Sequence, residues 1–506
     1  MRALLIYPDM RVHVNYPLGL GIISSVLKEH GHETRILHFN EEMGFPVDMT
    51  ALEKNILDFD PQLIAFSSVS NQFRYVKQMA AFIKHKWDIP ILCGGIHATI
   101  ASEKVLQLGT IDIICRGEGE FPALELVEKM EKGEDYTTIP NLGFRKNGEI
   151  KINPIRPLID VETYDSLPFP DRDGFDFREI VKKKQGWANV MGSRGCHLNC
   201  TYCVNHYYHA MYADFHTTAE NLRYRKVSTV LREIEEMLDK YPDITLINFD
   251  DDIFTLDKKW LSEFCEEYPK KIKLPFACNV YPTNINRETA GMLARAGCAE
   301  MKIGLESGSE RVRRQILKRP SRDSVNTEAF VVAEEAGIRS WSFNMIGVPT
   351  ETSEEMLMTA RLNARVRPYI VRCSIFYPYE GTDLYRYSVE HKLIQEERAE
   401  NVSSHLEDTV LDMPQLPREE ILKFKTMFKW YVDAHSDIEA APIFQILISY
   451  FEKLPKEEWS SGKAKDLFHS VDLAIDMLLR ELKMEHYATR RHLDLNFTKK
   501  LNYELP

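Results

Sequence analysis

The stretch that decides the fold is Gly195-Cys196-His197-Leu198-Asn199-Cys200-Thr201-Tyr202-Cys203, in which three cysteines follow the spacing Cys-x3-Cys-x2-Cys. Three thiolates so close in sequence can bind one metal centre, and no fourth cysteine lies nearby. A [4Fe–4S] cluster has four irons, so three cysteines leave one iron without a protein ligand. Such an open iron can bind a small molecule and pass an electron to it. We therefore predict that Cys196, Cys200 and Cys203 are the ligands of a [4Fe–4S] cluster.

The same loop has two other interpretations. A structural zinc site normally has four ligands, and His197 and His206 are close enough in sequence to complete one. In the second of these interpretations, the three cysteines are incidental buried residues of the core. With nine cysteines in 506 residues, chance placement of this triple is improbable.

Composition indicates an ordinary globular chain of two or three domains, because 506 residues exceed the size of one hydrophobic core. Hydrophobic residues make up 44% and charged residues 28%. No apolar run reaches the roughly 20 residues that span a bilayer, and the first residues are expected to form a strand rather than a signal peptide. We expect a cytoplasmic protein, where thiols stay reduced. The net charge of −12 argues against a nucleic-acid partner.

Strand and helix patterns alternate over the first 145 residues. Strands are predicted at 3–7, 34–37, 63–67, 91–93 and 111–115, and helices at 18–30, 72–86, 98–108 and 120–132. A capping box, Thr50-x-x-Glu53, predicts the start of a further helix. Five βα units of this kind predict a doubly wound, Rossmann-like parallel sheet whose ligands bind at the carboxyl ends of the strands.

Turn-forming and polar residues collect at those strand ends: Pro17-Leu18-Gly19-Leu20, Gly94-Gly95-Ile96-His97 and Gly117-Glu118-Gly119-Glu120. Together they resemble the cobalamin-binding domain that precedes many radical S-adenosylmethionine (SAM) domains. The resemblance implies cobalamin contacts from residues at four strand ends: Tyr16, Pro17, Leu18, Gly19, Ser67, Ser68, Val69, Gly94, Gly95, His97, Glu118 and Gly119.

One departure from that family concerns the lower ligand of cobalt. Domains that supply a histidine there use Asp-x-His-x-x-Gly, whereas Asp9 and His13 are separated by three residues and no glycine follows two later. We therefore expect the base of the cofactor to be displaced without a histidine replacement, with His13 as a surface residue.

The cysteine loop itself resembles that of the radical SAM enzymes, whose open iron binds the amino and carboxylate groups of SAM. Strand patterns at 246–249, 276–279, 301–304, 342–346 and 372–376, with one strand before Cys196, suggest the partial (β/α)6 barrel of that superfamily. The resemblance implies SAM contacts from residues at the strand ends and from the aromatic residue before the third cysteine: Tyr202, Asp250, Asp251, Glu306, Ser307, Asn344 and Gly347. The aspartates have an alternative role in a solvated turn, and Glu306 has one as a helix cap.

These patterns divide the chain into four parts. Residues 1–145 form the cobalamin-binding domain, 146–180 a proline-rich and acidic linker, 181–395 the radical SAM barrel, and 396–506 a mostly helical region. The predicted fold class is therefore α/β with a helical C-terminal part. The helical region either stabilises the barrel or closes the substrate cavity.

Membership of this family implies an enzyme with a [4Fe–4S] cluster, SAM and cobalamin as cofactors. Its commonest reaction is methylation of an unactivated carbon through a 5'-deoxyadenosyl radical and methylcobalamin. The alternatives are cyclisation, oxidation or carbon-skeleton coupling with the same cofactors, a tRNA methylthiotransferase, and a non-enzymatic cobalamin or iron–sulfur carrier. The expected partners are a small-molecule, lipid or peptide substrate and an electron donor such as flavodoxin or ferredoxin. No residue is singled out as catalytic beyond those that hold cofactors.

Overall fold

The computed structural model describes residues 1–146, 148–401 and 408–486. Contacts divide the chain into two compact units, each assembled from separate stretches. The first unit comprises residues 1–198, 203–244 and 379–382, and the second comprises residues 199–202, 245–378 and 383–506. The last residues of the predicted helical region, 487–506, lie outside the described part.

A seven-stranded sheet with helices between its strands forms the first unit. The strands are β1 (Arg2–Pro8), β2 (Glu33–Phe39), β3 (Leu63–Ser67), β4 (Ile91–Gly94), β5 (Ile113–Cys115), β6 (Leu142–Lys146) and β7 (Glu149–Ile152). The helices are α1 (Leu18–Glu29), α2 (Met49–Phe59), α3 (Phe73–Lys86), α4 (Gly95–Ile100), α5 (Ser102–Gln107) and α6 (Glu120–Lys132).

The sheet order is β2-β1-β3-β4-β5-β6-β7. Strands β1 to β5 pair in parallel, as predicted, whereas β6 and β7 form an antiparallel hairpin at one edge. Apolar side chains of the parallel strands, such as Leu4, Phe66 and Ile91, are almost fully buried. Parallel strands covered on both faces require such continuous apolar runs.

Three local predictions for this unit are wrong. Helix α2 is capped by Asp48, whose carboxylate accepts hydrogen bonds from the amides of Thr50 and Ala51, and not by a capping box at Thr50. The helix predicted over 98–108 is two short helices, α4 and α5, separated at Ala101, where φ is −123°. Strand β7 lies in the segment predicted as a linker, because its apolar residues pair with β6.

The remainder of the first unit consists of short elements. They are α7 (Val161–Ser166), α8 (Phe177–Lys183), β8 (Trp187–Val190), β9 (Ser193–Arg194), α9 (Val204–Met211), β10 (Arg223–Tyr224) and α10 (Val227–Lys240). Strand β8 is the strand predicted before Cys196, and α9 begins directly after Cys203.

Five neighbouring parallel strands of a curled sheet belong to the second unit, in the order β11 (Leu246–Phe249), β12 (Phe276–Val280), β13 (Cys298–Glu306), β14 (Arg339–Ile346) and β15 (Ile370–Ile375). The helices that follow them are α11 (Lys258–Lys271), α12 (Arg287–Arg295), α13 (Asp323–Glu335), α14 (Ser353–Val366) and α15 (Asp383–Glu390). The predicted fold class is confirmed: a doubly wound sheet, a curled partial barrel and a helical C-terminal part.

The described residues of the second unit form five more helices: α16 (Glu396–Asn401), α17 (Arg418–Ala434), α18 (Ala441–Glu452), α19 (Lys456–Ser460) and α20 (Lys463–Glu481). Helix α17 buries Ile421, Phe424 and Phe428 in one core with Ile346 of β14 and Ile375 of β15. The helical region therefore stabilises the barrel. No helix among the described residues is both long enough and apolar enough to cross a membrane.

A buried ion-pair triad holds the short elements of the first unit together. Glu233 of α10 is 1% exposed and accepts hydrogen bonds from Arg172 at 2.6 Å and Arg225 at 2.5 Å. Burial alone would raise the pKa of Glu233, but the two guanidinium groups outweigh it and hold the pKa below its usual value. The triad is therefore stable as long as the carboxylate stays ionised.

We expect Glu233→Ala to lower the free energy of unfolding of the first unit by about 3–5 kcal/mol, because it leaves two buried arginines unpaired. Chemical denaturation followed by circular dichroism measures this change, and Glu236→Ala, on the exposed face of the same helix, is the matched control. Since the pKa of Glu233 is depressed, its stabilising effect is present above the unfolded-state pKa and is lost as the pH falls through the folded-state pKa. Equal stability of the two variants at neutral pH would contradict this account.

Candidate active site

The cysteine loop begins with a glycine that no other residue can replace without strain. Gly195 has φ of +87°, and a Cβ atom there would lie 2.2 Å from the backbone oxygen of Asn221. Cys196 follows and is buried, and its Sγ accepts a hydrogen bond from the amide of Leu198 at 3.4 Å. Its carbonyl oxygen is bonded to Nε2 of His209 on α9 at 2.5 Å. These contacts therefore fix the conformation of the part of the loop that precedes Cys200.

Cys200 is 5% exposed and lies against a buried arginine that sequence reasoning missed. Arg319 donates from Nη1 to the Cys200 Sγ at 3.8 Å and to the Tyr202 hydroxyl at 3.2 Å. Its Nη2 donates to the Gly304 carbonyl oxygen at 2.9 Å. Burial raises the pKa of the Cys200 thiol, and the Arg319 guanidinium opposes that shift.

The same arginine lies beside the Gly-x-Glu-Ser turn at the end of β13. Its Nη1 is 3.6 Å from Oε1 of Glu306, and its guanidinium lies 4.6 Å from the centre of the Tyr281 ring. Arg319 is 8% exposed, so its charge is compensated almost entirely by these protein groups. Arg319 therefore joins Cys200 and Tyr202 by hydrogen bonds, and Glu306 by an ion pair, in one network.

Glu306 itself has φ of +66°, in the left-handed region that a non-glycine residue adopts at a cost. The register between β13 and β14 shifts between Gly304 and Glu306, which turns the Glu306 side chain toward Arg319. A Cβ atom at residue 304 would lie 2.8 Å from the Arg319 guanidinium and from the Glu306 carboxylate, so a larger residue there would displace these two side chains. Strained backbone of this kind clusters at functional sites.

Other predicted SAM contacts occupy the ends of neighbouring strands. Asp250 follows β11 and accepts a hydrogen bond from Asn248 at 2.6 Å, and Asn248 in turn accepts one from Lys302 of β13. Burial lowers the pKa of Lys302, and the Asp250 carboxylate opposes that shift. Asp251 is completely buried, and its carbonyl oxygen accepts a hydrogen bond from Asn279 at 2.9 Å.

Three predicted SAM contacts direct their polar groups toward the second unit's own helices and loops. Ser307 lies 3.5 Å from the Thr359 hydroxyl of α14, and the Asn344 amide exchanges hydrogen bonds with Asn363 of the same helix. The Gly347 amide donates to the buried Glu351 carboxylate at 2.6 Å, and burial raises the pKa of Glu351 to about 8. Contact with SAM remains a prediction for these three residues.

The predicted cobalamin residues lie at the carboxyl ends of β3, β4 and β5 and in the loop after β1, as the sheet order requires. The turns after β3 and β4 are in backbone contact: the Ser68 amide donates to the Gly94 oxygen at 3.2 Å, and the His97 amide donates to the Ser68 oxygen at 3.1 Å. Gly95 has φ of +87°, and a Cβ atom there would lie 2.7 Å from the Ser68 oxygen. Only glycine therefore fits between these two turns.

Two other predicted cobalamin residues have side chains committed to the protein. Tyr16 is 1% exposed, with its ring against Phe175 at 4.9 Å and Phe177 at 5.1 Å. Glu118 pairs with Arg194 at 3.0 Å and Arg223 at 2.9 Å. Because both side chains contact other protein groups, the backbone atoms of Tyr16 and Glu118 are the ones available to contact cobalamin.

For the remaining residues of the predicted cobalamin site, contact with the cofactor stays a prediction. Burial lowers the pKa of His97 to about 4, and its Nδ1 is 3.1 Å from the Ser70 hydroxyl. Leu18 and Ser68 are buried, Gly19 is exposed, and the others are partly buried: Pro17, Ser67, Val69, Gly94 and Gly119. His13 is 87% exposed and bonded to Glu42 at 2.7 Å, as expected for a surface residue.

The residues of the cysteine loop fit an iron–sulfur cluster. All three thiols are free of disulfides, and hydrogen-bond donors point at the sulfur atoms of Cys196 and Cys200. Such donors are one of the means by which proteins tune iron–sulfur clusters. Within the described ranges, no three His, Cys, Asp or Glu side chains lie close enough together for a single metal ion. In a [4Fe–4S] cluster the three cysteine sulfur atoms bind three different irons. They therefore lie further apart than three sulfur atoms that bind a single metal ion.

Comparison with known proteins extends these observations. A B12 binding domain model matches residues 11–127, and a Radical SAM superfamily model matches residues 190–362. An uncharacterized methyltransferase of Pyrococcus horikoshii is 27% identical over 387 residues, which cover 75% of this chain and 79% of that protein. The anaerobic magnesium-protoporphyrin IX monomethyl ester cyclase of Cereibacter sphaeroides is 23% identical over 383 residues, covering 73% and 60%.

Among solved structures, the chain is similar to the radical SAM methyltransferase TsrM from Kitasatospora setae, determined with cobalamin and a [4Fe–4S] cluster bound. The TM-score is 0.63 at 18% identity, over 77% of this chain and 75% of that one. This likeness concerns the fold. The two domain matches confirm the predicted enzyme class and cofactor set, and the chain belongs to the radical SAM enzymes that carry a cobalamin-binding domain.

Proposed function

We propose that this enzyme transfers a methyl group from SAM to an unactivated carbon of a small molecule. The observation that carries the proposal is the Arg319 network, which connects Cys200 and Tyr202 of the cysteine loop with Gly304 and Glu306 of the Gly-x-Glu-Ser turn. A carrier of electrons or cobalamin needs no such connection between a cluster ligand and a SAM-binding turn. The similarity to a methyltransferase over 75% of the chain supports the choice of reaction.

Cys196, Cys200 and Cys203 would hold the cluster, and the turns after β3, β4 and β5 would hold cobalamin. When bound, the cluster supplies one electron to SAM and cobalamin carries the methyl group between SAM and the substrate.

The chain's own residues have three tasks in this reaction. Arg319 fixes the positions of the Cys200 sulfur, the Tyr202 ring and the Glu306 carboxylate relative to one another. Leu305, which precedes Glu306, and Leu317, two residues before Arg319, are both fully buried, so the chain segments that carry this network are shielded from water. Lys302 holds Asn248, which donates to Asp250, so this carboxylate has a fixed orientation at the end of β11.

The first unit has the corresponding task for cobalamin. The close contact of Gly95 with Ser68 gives two turns a joint backbone surface, and a large planar ligand needs such a surface free of side chains. Since His13 is an exposed residue paired with Glu42, we propose that no histidine of this loop replaces the lower base of cobalt.

The proposal includes the partners and location that the reaction needs. The substrate is a small molecule, and a one-electron carrier such as flavodoxin or ferredoxin reduces the cluster. We place the enzyme in the cytoplasm, where three clustered thiols stay reduced.

A second candidate function keeps both cofactors but transfers no methyl group. The similarity to an anaerobic cyclase over 73% of the chain favours this alternative. The two reactions differ in their SAM-derived products. Methyl transfer converts one SAM to S-adenosylhomocysteine for each SAM converted to 5'-deoxyadenosine, whereas cyclisation yields 5'-deoxyadenosine alone.

We therefore expect both products, in about equal amounts, when the anaerobically reconstituted enzyme is incubated with a reductant, cell extract and methyl-deuterated SAM. Mass spectrometry quantifies the products and locates the deuterium in the methylated substrate. Cys200→Ala should abolish formation of 5'-deoxyadenosine while circular dichroism stays unchanged, and Cys265→Ala, at a partly buried cysteine of α11, should retain it. Formation of 5'-deoxyadenosine with neither S-adenosylhomocysteine nor labelled product would contradict methyl transfer.

The Arg319 network makes a separate prediction about the reduction potential of the cluster. Arg319→Gln removes a cation that stabilises added negative charge at Cys200. One charge-assisted hydrogen bond contributes about 1.5 kcal/mol, and for a one-electron couple this corresponds to about 60 mV. We expect the midpoint potential to become more negative by about that amount in a redox titration monitored by electron paramagnetic resonance.

Two further variants make this measurement specific. Arg319→Lys keeps the charge and should therefore have a midpoint potential close to the wild-type value. Arg322→Gln removes an exposed cation three residues away and should leave the midpoint potential unchanged. A wild-type potential in Arg319→Gln would show that this arginine has only a structural role.

A further inference from the structure

A surface depression lies on the outer side of the segment that contacts the cysteine loop. It is lined by Glu310, Arg311, Arg314, Gln315, Lys318 and Pro320 and has a volume of about 590 Å³. Two of these residues, Arg314 and Gln315, belong to a π-helical turn, Val312–Ile316. π-Helical turns are rare and occur frequently at functional sites.

The inner side of this segment contacts Thr201, one of the two residues between Cys200 and Cys203. The Thr201 amide donates to the Leu317 carbonyl oxygen at 3.3 Å, and the Thr201 hydroxyl donates to the Ile316 carbonyl oxygen at 2.6 Å. Leu317 immediately precedes Lys318 of the depression, and Thr201 immediately follows Cys200. Two hydrogen bonds therefore connect the segment of the depression to the residue that follows Cys200, a predicted cluster ligand.

The segment is strongly basic in an acidic chain. Residues 310–323 include six arginines and lysines and two acidic residues, whereas the whole chain has 76 acidic and 64 basic residues. Arg313 and Arg319 are buried and paired inside the unit. Arg314, Lys318 and Arg322 are exposed.

The two exposed cations of the depression each form a long, solvent-exposed ion pair. Arg314 is 3.9 Å from Glu310 with its side chain 48% exposed, and Lys318 is 3.5 Å from Asp383 with its side chain 58% exposed. Exposed ion pairs of this kind contribute only about 0–1 kcal/mol. Both cations can therefore exchange these neighbours for carboxylates of a partner at little cost.

We propose that this depression is the docking site of the small acidic protein that delivers one electron to the cluster. The carrier is oxidised by one electron and the cluster is reduced by one, with no transfer of a proton or group. A basic patch attracts an acidic carrier over several ångströms and orients it, and the Leu317–Thr201 hydrogen bond gives the electron a short bonded route inward. The inference rests on the proposed function, because only an enzyme with a reducible cluster needs such a donor.

A nucleic acid is the other macromolecule that basic patches attract. An electron carrier is the better candidate because the segment that lines the depression also contacts the cysteine loop. Such a contact would serve no purpose in binding RNA. The net charge of −12 also disfavours a polyanion that would cover more than this one patch.

The test compares two sources of electrons for the reconstituted holoenzyme. SAM cleavage to 5'-deoxyadenosine is measured with dithionite, which needs no docking site, and with reduced flavodoxin. Arg314→Glu with Lys318→Glu should reduce flavodoxin-driven cleavage at least about tenfold and leave dithionite-driven cleavage within about twofold of wild type, since charge complementarity acts mainly on association. The matched control, Lys463→Glu with Lys465→Glu on the exposed start of α20, carries the same charge change and should match wild type in both assays.

A binding measurement makes the test independent of catalysis. Flavodoxin binding, followed by biolayer interferometry, should weaken at least about tenfold in the Arg314/Lys318 double variant and should weaken with salt in the wild type. Wild-type binding and flavodoxin-driven cleavage in that variant would overturn the docking site, as would an equal loss in the control. Loss of tRNA binding with unchanged flavodoxin binding would overturn the choice of partner. Normal flavodoxin binding without any SAM cleavage by dithionite would refute the proposed function instead.

Discussion

The second unit depends on how it compensates the buried charge of Arg319. A guanidinium that is 8% exposed loses most of its hydration, and that loss is tolerable only if most of its donors find partners in the protein, as the two Nη groups of Arg319 do. Those partners are the Cys200 sulfur, the Tyr202 hydroxyl, the Gly304 carbonyl oxygen and the Glu306 carboxylate. The requirement to satisfy one cation therefore fixes the cysteine loop and the end of β13 together.

This constraint explains features that have no obvious cause when taken singly. Glu306 adopts a left-handed φ at the strand end where its carboxylate pairs with Arg319, and a Cβ atom at residue 304 would lie 2.8 Å from both of these side chains. The segment that carries Arg319 also contacts Thr201 through the carbonyl oxygens of Ile316 and Leu317. Its outer face is basic and its inner face touches the loop of the predicted cluster, so one segment combines positioning with access for electrons.

Sequence reasoning predicted the elements whose signal is local. Helix α6 was expected at 120–132 and strand β11 at 246–249, and both have these bounds, because apolar periodicity and a continuous apolar run define them. Strand β7 was missed because it is short and the prolines and acidic residues of the segment that follows it suggested a linker, and only its pairing with β6 makes it a strand. The cap of α2 was misassigned because Asp48 and Thr50 both resemble caps, and the choice depends on backbone geometry.

For the site, motif spacing identified the cysteines and the turns at the strand ends but not what their side chains contact. Arg319 lies in Leu317-Lys318-Arg319-Pro320, and nothing in these four residues distinguishes a buried arginine from an exposed lysine. Glu118 was predicted as a cobalamin contact because of its turn, whereas its carboxylate pairs with Arg194 and Arg223, which are 76 and 105 residues away. Long-range ion pairs of this kind leave no periodic signal in the chain.

The central claim is that three cysteines hold a four-iron cluster whose fourth iron binds SAM. Electron paramagnetic resonance of the anaerobically reconstituted, dithionite-reduced protein tests it most directly, with spectra recorded before and after addition of SAM. The account predicts the signal of a reduced [4Fe–4S] cluster that changes when SAM is added, because SAM becomes a ligand of the open iron. A protein that retains zinc and no iron, or a cluster signal that SAM leaves unchanged, would contradict it.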